Sequence, residues 1–337
     1  MNTMLRKQKQ ERLIWLDMSI TLLVLELMSC FCYGVRAAAL GVLCVSVSLA
    51  AEFISLRLMG KRFTADDLTC TSDAMILSLM LPVSVDYSIA VLSCLFAVIA
   101  AKNVFGGRHN MIFSPAAAAY VFALTSWSRQ VLMFPEPHSK LGIFEKPETL
   151  VKSASSSFNL TGKMDYTDIE ILMGNFSGPA GAVSILLLVI SAVMLIFRRD
   201  ISAGAFLGSV AGTGLFAVIA PVGLSREDSF SYSLVTNMVL FASVYIIADK
   251  RIAPSRNFFA FFYGLFIAVF AYTITLTTGK ENVIVLVSVL FTPAALAVKS
   301  LEKKISLIEA DEHREAEEAA LRFLSARKPE KEAEKNE

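Results

Sequence analysis

Phe105-Gly106-Gly107-Arg108-His109-Asn110-Met111-Ile112-Phe113-Ser114-Pro115-Ala116-Ala117 is a polar, glycine-paired turn between two strongly apolar segments, and its ending returns near the other end of the chain as Phe291-Thr292-Pro293-Ala294-Ala295. The echo points to a duplicated architecture. A proline after Ser or Thr inside an apolar helix frees a backbone carbonyl that a hydroxyl helps to satisfy. Two similar kinks arising by chance explain the same echo, so the duplication has to be tested against the segments around it.

Working outward, 55% of the 337 residues are hydrophobic, 18% are charged and 24 are Phe, which is more apolar than a soluble domain requires. The chain reads as an integral membrane protein whose first partner is the lipid bilayer. Lys and Arg cluster in short segments between apolar runs that are almost free of charge. The formal net charge of +1 therefore reflects membrane topology and excludes a nucleic-acid-binding surface. Cys30, Cys32, Cys44, Cys70 and Cys94 lack the spacing of a zinc or iron-sulfur site and read as packed thiols, so no metal site is expected. Arg6, Lys7, Lys9 and Arg12 precede the first apolar run as in a signal peptide. No small-residue cleavage site follows, and the run reads as an uncleaved first helix.

A helix needs about 20 apolar residues to cross the hydrocarbon core, and about ten such segments are present. Their cores lie near 13–33, 36–55, 71–84, 87–105, 113–134, 180–197, 202–222, 229–248, 258–278 and 281–299. The third is short and stops at Leu81-Pro82, which is tolerable only where other protein covers the freed backbone groups. With the N-terminus inside, Arg57, Lys61, Arg62, Lys102, Arg108, Arg198, Arg199, Lys250, Arg251, Arg256, Lys299, Lys303 and Lys304 all fall on the cytoplasmic side. Arg36, Arg226, Lys280 and the segment 135–179 fall outside. The predicted fold class is an all-α integral membrane protein, with about ten transmembrane helices in two inverted five-helix repeats. It divides into a tail (1–12), a first repeat (13–134), an extracytoplasmic loop (135–179), a second repeat (180–299) and a charged cytoplasmic helix or tail (300–337). The expected location is the cell membrane, multi-pass, with both termini cytoplasmic.

The turn and its flanks now carry a resemblance. Leu79-Met80-Leu81-Pro82, followed by Lys102-x-x-Phe105-Gly106-Gly107-x-x-Asn110-x-x-Phe113-Ser114-Pro115-Ala116, resembles signatures of the group formed by the D subunit of the Rnf electron-transport complex and the B subunit of the sodium-pumping NADH:quinone reductase. Gly174-Asn175-x-x-Gly178-x-x-Gly181-x-x-Ser184, Ala248-Asp249 with Pro254, and Leu290-Phe291-Thr292-Pro293 are similar to further family motifs, in the family's order over roughly 15–299. The resemblance implies a membrane subunit of an Rnf-type complex that couples flavin-mediated electron transfer to Na⁺ or H⁺ translocation, is not catalytic alone, and works with other membrane and soluble subunits. The rival reading is a stand-alone small-solute or ion transporter or channel of the urea-transporter-like inverted-repeat fold.

The resemblance also implies cofactors. In the family an FMN is bonded through its phosphate to a Thr in a loop, and here Val151-Lys152-Ser153-Ala154-Ser155 stands in that place. Ser155 is the candidate FMN phosphoester, with Ser156 or Ser157 reached by a small shift, although Ser153 replaces a Gly and Thr149 an Asp of the pattern. The covalent flavin is either carried on serine or lost. Gly106, Gly107, Asn110, Gly174, Asn175 and Gly178 are further cofactor-binding candidates, a second non-covalent flavin included, since glycine lets a ring approach the backbone closely. Tight helix packing explains the same glycines. Ser114 and Ala182 stand where the family has Asn and Glu. Asp249 and Asp73 are candidates for an ion path, because carboxylates near a membrane are costly to keep. There is no catalytic triad, Walker loop or dinucleotide glycine motif, so any NADH chemistry belongs to a partner.

Overall fold

The computed structural model describes residues 2–107, 111–223 and 225–333, with side chains left out for 2–11, Ala65, 310–313 and 315–333. Asn110, one of the candidate cofactor residues, lies outside the described residues. The chain separates into a large unit, Met1–Leu296, and a second unit, Ala297–Glu337, which is a helix where described.

Each of the ten apolar segments is helical. Among the described residues, four helical stretches are long and apolar enough to cross a membrane, namely Arg12–Tyr33, Val35–Leu58, Asn257–Thr278 and Val283–Glu309. A fifth span is made if Arg226–Val235 and Val239–Ile247, bent by 52° at their junction, count as one. Cys70–Met80, Tyr87–Asn103, Pro115–Ser126, Ile185–Phe197 and Ala203–Ile219 are shorter apolar helices. The echoed motifs differ locally: Pro115 opens its helix, where the missing N–H costs nothing, whereas Pro293 sits within the helix Val283–Ala333.

The core of the large unit is continuous, with Leu22, Leu25, Cys44, Leu77, Tyr120, Phe241, Tyr245 and Ile267 almost wholly enclosed. Ala203–Ile219 and Asn257–Thr278 approach so closely that a Cβ on Gly208 would strike the backbone of Phe261, and one on Gly264 the backbone of Ala205. Small residues at helical spacing permit that approach, as in helix pairs within lipid.

The break at Leu81-Pro82 is covered as its sequence requires. Arg36, 2% exposed, donates from Nε to the Val83 carbonyl at 2.7 Å and from a terminal nitrogen to the Val85 carbonyl at 2.9 Å. Its other terminal nitrogen reaches the carbonyls of Glu145 (3.0 Å) and Ile143 (3.3 Å). One guanidinium thus satisfies the freed backbone of the short helix's exit and ties it to the long insertion. The insertion is folded: Met133–Pro135 pairs antiparallel with Leu150–Lys152, followed by helices Ala154–Thr161 and Asp168–Met173.

Candidate functional site

Two polar regions lie toward opposite ends of helix Val35–Leu58. Arg36 holds the insertion at one end and Glu52 enters the second region, 16 residues or about 24 Å further along.

The first region is built on interruptions of regular structure. Helix Arg226–Val235 stops at Thr236, and the chain resumes at Val239 after Asn237 and Met238, both left-handed, with φ of 55° and 58°. Such a break exposes backbone groups that need partners. Ser155 supplies one, its Oγ accepting from the Asn237 N–H at 2.8 Å, while the side-chain amides of Asn237 and Asn159 pair reciprocally at 2.8 and 2.9 Å. Ser153 caps helix Ala154–Thr161 by accepting from the Ser156 N–H at 3.0 Å, and its hydroxyl donates to Glu281. Glu281 lies in the turn between the last two apolar helices and takes a second hydrogen bond from the Ser156 side chain. Burial raises its carboxyl above the usual carboxylate range, against the lowering pull of the two serines and Lys152. The adjacent Asn282, 1% exposed and left-handed, donates to the Tyr120 hydroxyl at 2.9 Å.

The segment around Gly174, Asn175 and Gly178 packs beside these serines, with the Ala154 N–H on the Ser177 carbonyl at 2.9 Å and the Ser177 hydroxyl on the Lys152 carbonyl at 2.8 Å. Gly174 terminates helix Asp168–Met173 in a left-handed cap with φ of 79°, and Asn175 returns its N–H to Glu170 at 2.8 Å. A Cβ on Gly178 would meet Val183 and Phe176 at ordinary contact distance, so this chain's own side chains fill the space there.

The second region is a cleft of about 230 Å³ lined by residues that include Glu52, Lys61, Arg62, Asn103, Gly106 and Gly107. Its floor is an ion pair with both side chains 2% exposed: Lys102 Nζ to Glu52 Oε1 at 2.8 Å, with Asn103 Nδ2 donating to Glu52 Oε2 at 3.0 Å. Lys102 and Asn103 end a π-helical stretch, Phe96–Asn103, whose wider turn brings two consecutive side chains onto one carboxylate. From sequence, Lys102 reads as a solvated cytoplasmic charge; it is a buried one, because Glu52 reaches it from another helix. Gly106 and Gly107 follow, with φ of 107° and 76° that side chains rarely adopt.

The two ion-path candidates come together on a residue the sequence did not single out. Arg251 donates from Nε to Asp249 Oδ2 and from a terminal nitrogen to Asp73 Oδ1, both at 2.7 Å. Asp73 and Asp249 are 4% and 3% exposed, so this is a clamp between distant parts of the chain, and the carboxylates are not open to solvent. Among the described residues no group of three or more His, Cys, Asp and Glu could hold a metal.

With this geometry in view, comparison with known proteins is decisive on one point. A model of the NQR2, RnfD, RnfE family matches residues 1–298. The chain belongs to that family. It is similar to the D subunit of the Na(+)-translocating ferredoxin:NAD(+) oxidoreductase complex of Acetobacterium woodii, 29% identical over 174 residues, covering 51% of this chain and 53% of that protein. It is also similar to the D subunit of the ion-translocating oxidoreductase complex of Ectopseudomonas mendocina, 22% identical over 265 residues, with 74% and 77% covered. The chain thus spans about half the length of the first of these relatives and about three quarters of the second.

The family resemblance implies an FMN ester on the insertion, and the serines there can be tested for it. Ser153, Ser155 and Ser156 are 1%, 7% and 8% exposed, and each hydroxyl is engaged, with Glu281 or with Asn237. An ester on Ser155 would crowd a phosphate against the Asn237 backbone that its Oγ serves, and one on Ser153 or Ser156 would set a phosphate beside the Glu281 carboxylate. Anions favour helix N-termini, but at Ala154–Thr161 the chain's own carboxylate already takes that place. As arranged, these residues do not fit a covalent tether.

Proposed function

We propose that the chain is a membrane subunit of an Rnf-type ion-translocating oxidoreductase complex, taking part in the coupling of flavin-mediated electron transfer to Na⁺ or H⁺ movement. The observation that carries this is the family match over residues 1–298, together with relatives named as the D subunit of such complexes. The ten helical segments support a ten-span subunit of the cell membrane in two inverted halves, with both termini cytoplasmic. Within it the broken helix at Asn237 and the short helix ending at Leu81 are interior elements. Other membrane and soluble subunits of the complex are its partners.

The insertion acts as a closed polar latch over the helix break, with no flavin tethered at Ser155. A non-covalent flavin belongs in the cleft: Lys61 and Arg62 supply charge for a phosphate, Gly106 and Gly107 offer backbone to a flat ring, and Glu52, fixed by Lys102 and Asn103, orients a donor on it. The flavin supplies the one-electron chemistry when bound. The protein's part is position and exclusion of water.

The experiment is purification through a tag on this chain from the native membrane. Other oxidoreductase subunits are expected to come with it, together with flavin released by acid, while the peptide bearing Ser153 to Ser157 has its unmodified mass. Isolation of the chain alone and free of flavin would overturn the assignment, and an FMN adduct on that peptide would overturn the latch.

A further inference from the structure

Two carboxyl groups meet near the middle of the first helix. Asp17 lies on helix Asn2–Tyr33, and Asp200 lies in the turn between Ile185–Phe197 and Ala203–Ile219; each residue is 5% exposed. The turn fixes Asp200. Arg199 is left-handed, with φ of 58°, its N–H donates to the Ile196 carbonyl at 3.0 Å, and the Asp200 N–H donates to the Leu195 carbonyl at 2.8 Å. This pair of bonds is the Schellman closure of a helix C-terminus. Immediately after it, Ile201 bridges to Asp249 and the Ser202 N–H donates to the Ala248 carbonyl at 2.8 Å. The backbone of Asp200 therefore cannot withdraw without undoing a helix end and a backbone bridge.

Asp17 Oδ2 receives Arg198 Nε at 2.7 Å, from a side chain 52% exposed. The carboxyl of Asp17 is also within hydrogen-bonding reach of Asp200, while Asp200 Oδ2 meets no donor among the described residues. Two ionised carboxylates are acceptors only and repel one another, and a buried carboxylate oxygen without a donor is costly. A proton placed between them supplies the missing donor and removes one of the two charges.

We propose that Asp17 and Asp200 bind one proton between them, forming a proton-binding site where the first helix meets the turn after Phe197. The charged groups acting on the pair are Arg198 and Lys250, whose ammonium donates to the Arg199 carbonyl and is itself beside the Arg199 charge. These cations oppose any added positive charge, a proton included; what selects a proton is Asp200 Oδ2, which needs a donor, while among the described residues no third carboxylate, His or Cys joins the pair to hold a metal ion. Burial first and then the Asp17 carboxyl push Asp200 up, against the lowering pull of Arg198 and Lys250, to about 6. The proton is held below that pH and leaves as the pH rises through it. Because the folded state binds the proton more tightly than the unfolded chain, the associated stabilisation is present in acid and is lost across the same window. The site stands on the geometry of this turn and is independent of where electrons pass.

Infrared spectra of the full-length chain in nanodiscs test it, through the protonated-carboxyl stretch and its shift in D₂O, recorded against pH. The wild-type-minus-Asp200→Asn difference is expected to hold one such band that fades as the pH passes about 6, and Asp17→Asn is expected to abolish that band or move its midpoint. Asparagine matches the protonated acid in size and donates to Asp17, so D200N keeps the fold while removing the titration. No band difference between wild type and D200N would overturn the proposal. So would an unchanged midpoint in D17N, or displacement of the proton by NaCl at constant ionic strength, which marks a metal-ion site.

Discussion

Lys102→Met is expected to destabilise the chain by about 3–5 kcal/mol, the usual consequence of leaving one member of a buried ion pair without its partner. Lys102 and Glu52 are both 1% exposed, and the bond between them is 2.8 Å long. Methionine fills most of the volume of the lysine stem, so the loss is electrostatic: Glu52 keeps Asn103 as a donor but loses the charge that compensates its own. The double variant Lys102→Met/Glu52→Gln removes the orphaned charge and should recover most of the loss. Unfolding in detergent, followed by helical circular dichroism, measures both. If the single variant is as stable as the parent, or the double variant is no better than the single, the pair is not the buried unit described. Flavin released from the tag-purified complex should fall in the single variant as well, because Glu52 lines the cleft.

Arg36→Ala should cost a comparable amount, about 2–6 kcal/mol, from about 1–3 for each of two buried carbonyls deprived of a donor. The carbonyls of Val83 and Val85 belong to the extended exit from helix Cys70–Met80, which has no helical partners to offer them. Arg36→Lys should rescue little. A single ammonium cannot serve Val83, Val85 and Glu145 at once, whereas the guanidinium's fixed fork does so with three nitrogens. Limited proteolysis supplies a second readout, since the insertion loses its tie at Ile143 and Glu145. Faster cleavage near those residues in the alanine variant is expected, and unchanged cleavage in both variants would show that Arg36 does not anchor the insertion.

The helical skeleton was legible because membrane helices declare themselves by long apolar runs: all ten runs hold helix, although among the described residues four helices, or five with the bent pair, are long and apolar enough to span. The proline-ended third segment also carried its own requirement, that something cover the backbone after Leu81. What covers it was not legible. Arg36 reads as one more charge at the end of a span, and a charge there has the same sequence signature whether it faces water or a buried carbonyl. Lys102 escapes a sequence reading for that reason. The partners that settle such cases are far apart in the chain: Lys102 and Glu52 lie 50 residues apart, Ser153 and Glu281 lie 128 apart, and Arg251 and Asp73 lie 178 apart. Ser155 stands out by its place in a motif, but the Asn237 N–H that takes its lone pair comes from a helix break invisible to hydropathy. Asp200 carries no motif at all. The only hint is its position directly after Arg198-Arg199, which reads as an ordinary basic helix end.

Electron-driven ion uptake by proteoliposomes holding the complex purified through a tag on this chain tests the membrane-subunit assignment most directly. Oxidation of the complex's electron donor is expected to drive Na⁺ or H⁺ into the vesicles, and vesicles of a complex assembled without this chain should show neither uptake nor coupled turnover. Undiminished uptake without the chain, or solute flux through the chain alone with no electron donor present, would contradict it.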